Sequence, residues 1–209
     1  MGQYIYLERM DIRHDHQNLF LNRYIKDRLK DLSEIEGIGR IKSYLTTDKS
    51  SPKYMTLYEI ATPKVLDSPS WLAIEEQRQW SALLQTYSMN NSNIILKWVG
   101  SAQNLLLNTG YLHFAMADVE SFKESTFNQL YDSQHSPFMC TLPEVQQCSR
   151  YLALADIRPK YTAIYEINDP NIPNTIQWQE AADKGEWKSV IRPYTFNRHF
   201  VTYTEMTIE

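Results

Sequence analysis

Lys53-Tyr54-Met55-Thr56-Leu57-Tyr58-Glu59-Ile60 recurs as Lys160-Tyr161-Thr162-Ala163-Ile164-Tyr165-Glu166-Ile167, 107 positions further along a chain of 209 residues. Downstream the same offset pairs Pro63 with Pro170, Trp71 with Trp178, Trp80 with Trp187, Tyr87 with Tyr194 and Asn90 with Asn197. Upstream it pairs Tyr4 with Tyr111, Asp11 with Asp118, Phe20 with Phe127 and Tyr24 with Tyr131. Chance does not place aromatic residues in register over such a distance. A tandem duplication follows, and each copy has the length of a small domain. Between the two blocks, Glu34/Glu144 and Arg40/Arg150 give an offset of 110, which predicts three extra residues in the first copy's Thr46 to Ser51 turn. A length change of that kind belongs in a surface loop. The expected modules are residues 1–101 and 109–209.

Each copy offers an independent reading of the same elements. Gln3 to Ile12 alternates Ile5 and Leu7 with Tyr4, Tyr6 and Glu8, the period of a strand, and Tyr111 to Val119 repeats it. Leu19-Phe20, Tyr24-Ile25 and Leu29, matched by Phe122, Phe127 and Leu130-Tyr131, predict an amphipathic helix, closed in the first copy by Gly37 and Gly39. Strands are expected at Arg40 to Thr47, Lys53 to Ile60, Arg150 to Asp156 and Lys160 to Ile167. A second helix should start at Ser68-Pro69 and run to Thr86, with Thr175 to Ile191 as its counterpart, less regular at Gly185. Asn93 to Gly100 and Arg198 to Thr207 complete the order βαββαβ, twice.

A four-stranded antiparallel sheet with both helices on one face leaves the other face to be covered. The tandem copy is the obvious cover, at high effective concentration. The fold class expected is therefore α+β: two tandem ferredoxin-like βαββαβ modules forming an intramolecular dimeric α+β barrel. The connector from Ser101 to Thr109, with Leu105-Leu106-Leu107, is expected to dock rather than float.

Composition narrows the function classes. With 43% hydrophobic and 22% charged residues the chain is an ordinary globular one, and a net charge of −4 with no Lys/Arg stripe argues against nucleic acid. No apolar run approaches the ~20 residues that span a bilayer, and no signal peptide is visible, so a cytoplasmic, non-membrane protein is expected. Cys140 and Cys148 lack metal or redox spacing and read as reduced, partly buried thiols.

A family resemblance rests on Phe127-Asn128-Gln129-Leu130-Tyr131-Asp132-Ser133-Gln134-His135, Leu142-Pro143, Arg150-Tyr151 and Lys160-Tyr161-Thr162-Ala163-Ile164-Tyr165-Glu166. These resemble the EthD-type branch of the dimeric α+β barrel superfamily, with Glu144 where that branch usually has glycine. The first copy has Arg28 in place of the histidine. The resemblance implies the fold and leaves the activity open, since the superfamily hosts monooxygenases, cyclases, lyases, isomerases and haem-degrading enzymes.

His135 is the foremost candidate, because imidazole can pass a proton to or from a carbonyl or hydroxyl. Tyr131 is grouped with it as a catalytic partner. The competing reading is that His135 caps its helix against the dipole. Tyr111, His113, Tyr161 and Tyr165 are the candidate substrate-binding residues. His113 shares a strand face with Tyr111 and Ala115, and the bulkier set Leu112, Phe114 and Met116 is expected to face the helices, which would turn His113 into the barrel. A core histidine bonded to a tyrosine is the plainer alternative. The face of His199 is open.

His14-Asp15-His16 does not present ligands on one face, and Asp15 reads as a helix cap. No metal and no cofactor is expected, and an axial haem histidine has no further support. The four repeated tryptophans read as core anchors. Two functions remain. One is a cofactor-independent lyase, isomerase, cyclase or monooxygenase acting on a hydrophobic aromatic or ketonic metabolite, with His135 as general acid/base. The other is a non-catalytic metabolite-binding or accessory protein. A homodimer of the pseudo-dimeric chains is a further expectation.

Overall fold

The computed structural model describes residues 3–77, 79–100 and 105–206. The expected linker residues Ser101 to Asn104, the strand end at Thr207 and the module limit at Glu209 lie outside the described residues, as do the side chains of His16, Leu19 and Phe20. The chain divides into two compact units, one of the residues up to Leu96 together with the chain end from Glu205, the other Lys97–Thr204.

The first module runs β1 (Tyr4–Ile12), helix α1 (14–33), β2 (Ile38–Thr46), β3 (Tyr54–Ile60), α2 (Pro69–Gln77), α3 (Trp80–Tyr87) and β4 (Ser88–Val99). The second repeats this as β5 (Tyr111–Val119), α4 (121–139), β6 (Val145–Ala153), β7 (Tyr161–Ile167), α5 (Ile176–Asp183), α6 (187–194) and β8 (Thr195–Glu205). Within the modules the strand orders are β4-β1-β3-β2 and β8-β5-β7-β6. Consecutive strands β2-β3 and β6-β7 form hairpins, and β1 and β5 pair antiparallel with β3 and β7. The architecture is α+β, two tandem ferredoxin-like modules of the α+β barrel class.

The strand registers correct one expectation. Arg150 pairs with Ala163, and the residue facing Thr56, 107 positions before Ala163, is Ser43. Ile38↔Ile60 and Val145↔Ile167 keep the same spacing. The offset is thus 107 throughout, with no three-residue insertion in the turn. Arg40 and Arg150 are not counterparts: both are arginines paired to carboxylates, Arg40 to Glu59 and Arg150 to Asp132, which makes the coincidence look like homology.

The second helices begin as expected. Ser68 Oγ accepts from Trp71 N at 3.2 Å and Thr175 Oγ1 from Trp178 N at 3.3 Å. Neither helix is continuous, however. The first breaks at Gln79, which takes a left-handed φ of 52°, and the second at Gly185, φ 71°. The last strands start earlier than expected, at Ser88 and Thr195, because Asn90 (φ 54°) and Asn197 (φ 49°) are left-handed residues inside them. Such a bulge hides the alternation, and Asn tolerates that conformation better than most residues. Each amide also donates to the repeated aspartate: Asn90 to Asp11 at 2.8 Å, Asn197 to Asp118 at 3.0 Å. Those hydrogen bonds help hold both carboxyls below the usual range despite their partial desolvation.

The docked connector is found where it is described. Leu105 and Leu107 are buried, and the Glu166 carboxylate accepts from the backbone N–H of Leu106 (2.6 Å) and Asn108 (3.1 Å). Cys148 is buried and free, its thiol pushed up to about 12 by desolvation, whereas Cys140 is exposed, contrary to expectation. Asp15 makes no cap bond and sits inside the first turn, where its charge suits the helix dipole.

Candidate ligand and active site

Helix α4 carries Phe127, Tyr131 and His135 at intervals of four, so all three descend on the sheet from one face. The turn from Tyr131 to His135 is π-helical, a widening that recurs at functional sites. Beneath it, β7 presents Tyr161, Ala163 and Tyr165 at the strand period, and β5 presents His113, Ala115 and Ala117. Trp178 and Ala182 close the space from α5, and Trp187 from α6. The result is a cavity of about 330 Å³ wholly within the second module. A comparable space in the first module, beside Glu8 and Tyr24, is only about 10 Å³.

Five of the six candidate residues line this cavity: His135, Tyr131, His113, Tyr161 and Tyr165; Tyr111 does not. The cavity lies between sheet and helices, and His113 faces the helices, which reverses the expected assignment of faces. His113 is edge-on to Trp178 with ring centroids 5.2 Å apart, while Phe114 on the other face packs against Tyr203. The reason is volume. The helices bring Phe127, Tyr131, Trp178 and Trp187 to the interface and β7 adds Tyr161 and Tyr165, so the β5 face beneath them must be small, and the bulky Leu112, Phe114 and Met116 turn the other way. His113 is a hydrogen-bonded histidine, but its partner is Thr202 Oγ1, 2.8 Å from Nδ1 and directly across the strand pair, not a tyrosine. The tryptophans expected as anchors, Trp178 and Trp187, are cavity walls as well.

His135 is 6% exposed and does not cap its helix, which continues to Met139. Its ring stacks on Trp187 at 4.2 Å, 25° from parallel, and meets Tyr131 edge-on at 4.8 Å. Burial, reinforced by the positive charges of Arg192 and Arg150 and opposed by Asp183, lowers its pKa to about 3. His113 is lowered to about 4 by burial alone. Both imidazoles are therefore neutral near pH 7, where an unperturbed histidine would be partly charged. Among the described residues His135 Nδ1 has no hydrogen-bond partner. Leaving a buried polar atom unpaired costs about 1–3 kcal/mol, a cost that a donor placed beside Nδ1 would remove.

The tyrosines are donors. Tyr131 and Tyr165 hydroxyls lie 2.9 Å apart, and burial holds both well above the ordinary phenol range. Sequence reasoning missed two contributors. Arg150 lies 4.4 Å over the Tyr131 ring, held by Asp132 at 2.6 Å, and so links the separated motif pieces around Arg150 and Asp132. Arg192 pairs with Asp183 at the rim. Ala115 and Ala182, which leave the space open, could have been found by comparing the copies, since their counterparts are Glu8 and Glu75.

The remaining candidates lie elsewhere. His199 is exposed on β8, with Nε2 2.9 Å from Asn197 Oδ1. His14 and Asp15 are almost fully exposed. Among the described residues no group of three or more His, Cys, Asp or Glu gathers around a common point, and no helix is long and apolar enough to cross a membrane.

No protein-family model and no curated protein sequence matches the chain. Solved structures do. A chlorite dismutase mutant from Candidatus Nitrospira defluvii, in complex with cyanide, aligns over 98% of this chain and 90% of its own at 11% identity, TM-score 0.64. An anthrone oxidase-like protein aligns over 98% and 91% at 10% identity, TM-score 0.67. A provisionally assigned monooxygenase from Lactobacillus acidophilus NCFM aligns over 98% and 94% at 13% identity, TM-score 0.63. At these identities the likeness establishes the fold, the ferredoxin-like dimeric α+β barrel.

Proposed function

We propose that the second module binds a small hydrophobic aromatic or ketonic molecule and that His135 moves a proton on it, without need of a cofactor. The observation that carries this reading is a neutral, buried imidazole with an unpaired nitrogen in the wall of an aromatic cavity. A neutral imidazole can accept a proton from a phenolic O–H or from a C–H beside a carbonyl, and Tyr131 supplies an O–H donor beside it. Sharing the fold with an anthrone oxidase-like protein adds weight to an aromatic ketone as substrate. Membership of the EthD-type branch belongs to the same reading. Its support is that Tyr131, His135, Arg150, Tyr161 and Tyr165, distant in sequence, line one cavity, with Asp132 gripping Arg150.

A second reading, a non-catalytic binding protein, is favoured by one observation: a pKa near 3 makes the buried imidazole a weak base. Exchange of acidic C–H hydrogens for solvent deuterium, followed by NMR over a panel of aromatic ketones and phenols, separates the two. His135→Gln, with an unchanged circular dichroism spectrum, is expected to lower the exchange rate of the best substrate about 100-fold or more. Exchange at the wild-type rate by the variant would remove His135 from the chemistry. Binding without exchange by either protein would establish the second reading instead.

A further inference from the structure

The first module fills the equivalent of this cavity with its own side chains, and the filling shows which groups the second module lacks. Glu8, Arg28 and Glu75 stand where the second module has Ala115, His135 and Ala182. The equivalence is structural as well: Glu8 pairs with Thr56 on β3 as Ala115 pairs with Ala163 on β7. Tyr24 and Tyr58 are the counterparts of Tyr131 and Tyr165.

In the first module, Glu8 Oε2 accepts from the hydroxyls of Tyr24 and Tyr58, the latter at 3.0 Å, and from Arg28 Nη1 at 2.7 Å. The second module keeps both phenols and loses the carboxylate. Its two hydroxyls, with nothing between them, bond to each other. Beside them stand His135 in place of the guanidinium and Ala115 in place of the acid. The wall also carries Arg150, which Asp132 pairs from outside it, Arg192, which pairs with Asp183, and Arg198.

We propose that the second module's ligand is an anion, a flat hydrophobic body bearing a carboxylate, phenolate or enolate oxygen, seated between the hydroxyls of Tyr131 and Tyr165 where the first module seats Glu8. This rests on reading the cavity as a ligand site, and it names the chemical class that site takes. The oxygen turns the two hydroxyls from each other onto itself, as both already point onto Glu8 in the first module. Hydrogen bonds to an ionised acceptor are about twice as strong as neutral ones, so the charge gives selectivity over a neutral isostere. The aromatic body lies in the space left by Ala115, Ala163 and Ala182.

The test is a calorimetric titration of the full chain with 2-naphthoate and with its neutral amide, 2-naphthamide, repeated on Tyr131→Phe/Tyr165→Phe. The naphthoate is expected to bind about tenfold or more tightly than the amide, and the double variant to lose that preference, binding the two probes within about threefold of each other. Equal binding of the two probes by the wild type overturns the anion proposal and leaves the cavity reading standing. Binding of neither overturns both. Should the double variant not fold, Ala115→Glu serves: it places a carboxylate on the same hydroxyls and is expected to abolish naphthoate binding. Undiminished naphthoate binding by Ala115→Glu would also overturn the proposal.

Discussion

Arg28→Met is expected to lower the unfolding free energy by about 3–5 kcal/mol, the usual cost of stranding a buried charge by removing its partner. Arg28 is 2% exposed and is the only cation bonded to both Glu8 and Glu75 among the described residues, with Nη1 2.7 Å from Glu8 and Nε 2.8 Å from Glu75. Nη1 also donates to the hydroxyls of Tyr24 (2.8 Å) and Tyr58 (2.9 Å). Methionine fills much of the volume and satisfies none of these acceptors. Removing the charges together is a different experiment. Glu8→Gln/Arg28→Met/Glu75→Gln leaves no ion behind and is expected to regain at least half of the loss, because the cost of a buried pair lies mainly in desolvation. Urea unfolding of the three proteins reads both numbers. A loss under about 1 kcal/mol in Arg28→Met would mean that the cluster is solvated and that the first module is not a filled site.

Acid destabilises the protein through its two neutral histidines. In the unfolded chain they titrate near 6.5, whereas in the native state His113 is lowered to about 4 and His135 to about 3. Between those values the unfolded state binds protons that the native state refuses, so stability is complete above about pH 6.5 and falls as pH drops. Each histidine is worth about 2 kcal/mol between pH 7 and pH 5. The carboxylates held below their usual range, Asp11, Asp118, Glu124 and Asp183, act at lower pH, and Glu75, raised by burial, acts in the opposite sense. Urea unfolding at pH 7 and pH 5 is expected to show a loss of about 4 kcal/mol in the wild type and about 1 kcal/mol or less in His113→Gln/His135→Gln. A wild-type stability that does not change over this interval would mean the imidazoles are solvated.

How much of this was legible in the sequence follows from what repeats and what does not. Duplication made every element readable twice, and the order βαββαβ emerged from strand and helix periods that agree between copies. The strand starts at Ser88 and Thr195 were hidden, because one left-handed asparagine in each breaks the alternation on which a strand is recognised. The expected turn insertion does not exist, and the expectation arises because Arg40 and Arg150 serve similar ion pairs from different positions.

Of the cavity's lining, Tyr131, His135, Tyr161 and Tyr165 are singled out in the sequence by type and motif. The face of His113 was misjudged, since alternation tells that two faces differ but not which one the helices occupy. That is decided by the aromatic volume the helices carry, a tertiary quantity. The depressed pKa of His135 was likewise out of reach: it follows from burial among Arg150, Arg192 and Trp187, which come from two other elements, β6 and α6. What the sequence held in plain view was Glu8, Arg28 and Glu75 against Ala115, His135 and Ala182, whose meaning appears only when the first set is seen as a bonded cluster.

The central claim is that this exchange of three residues separates a filled module from a ligand-binding one, and building the first set into the second module tests it. The variant Ala115→Glu/His135→Arg/Ala182→Glu is titrated with 2-naphthoate beside the wild type. Its cavity is expected to be closed by its own ion pairs, and affinity to fall about 100-fold or below detection, with the circular dichroism spectrum unchanged. A folded variant that still binds the naphthoate with wild-type affinity would contradict the account.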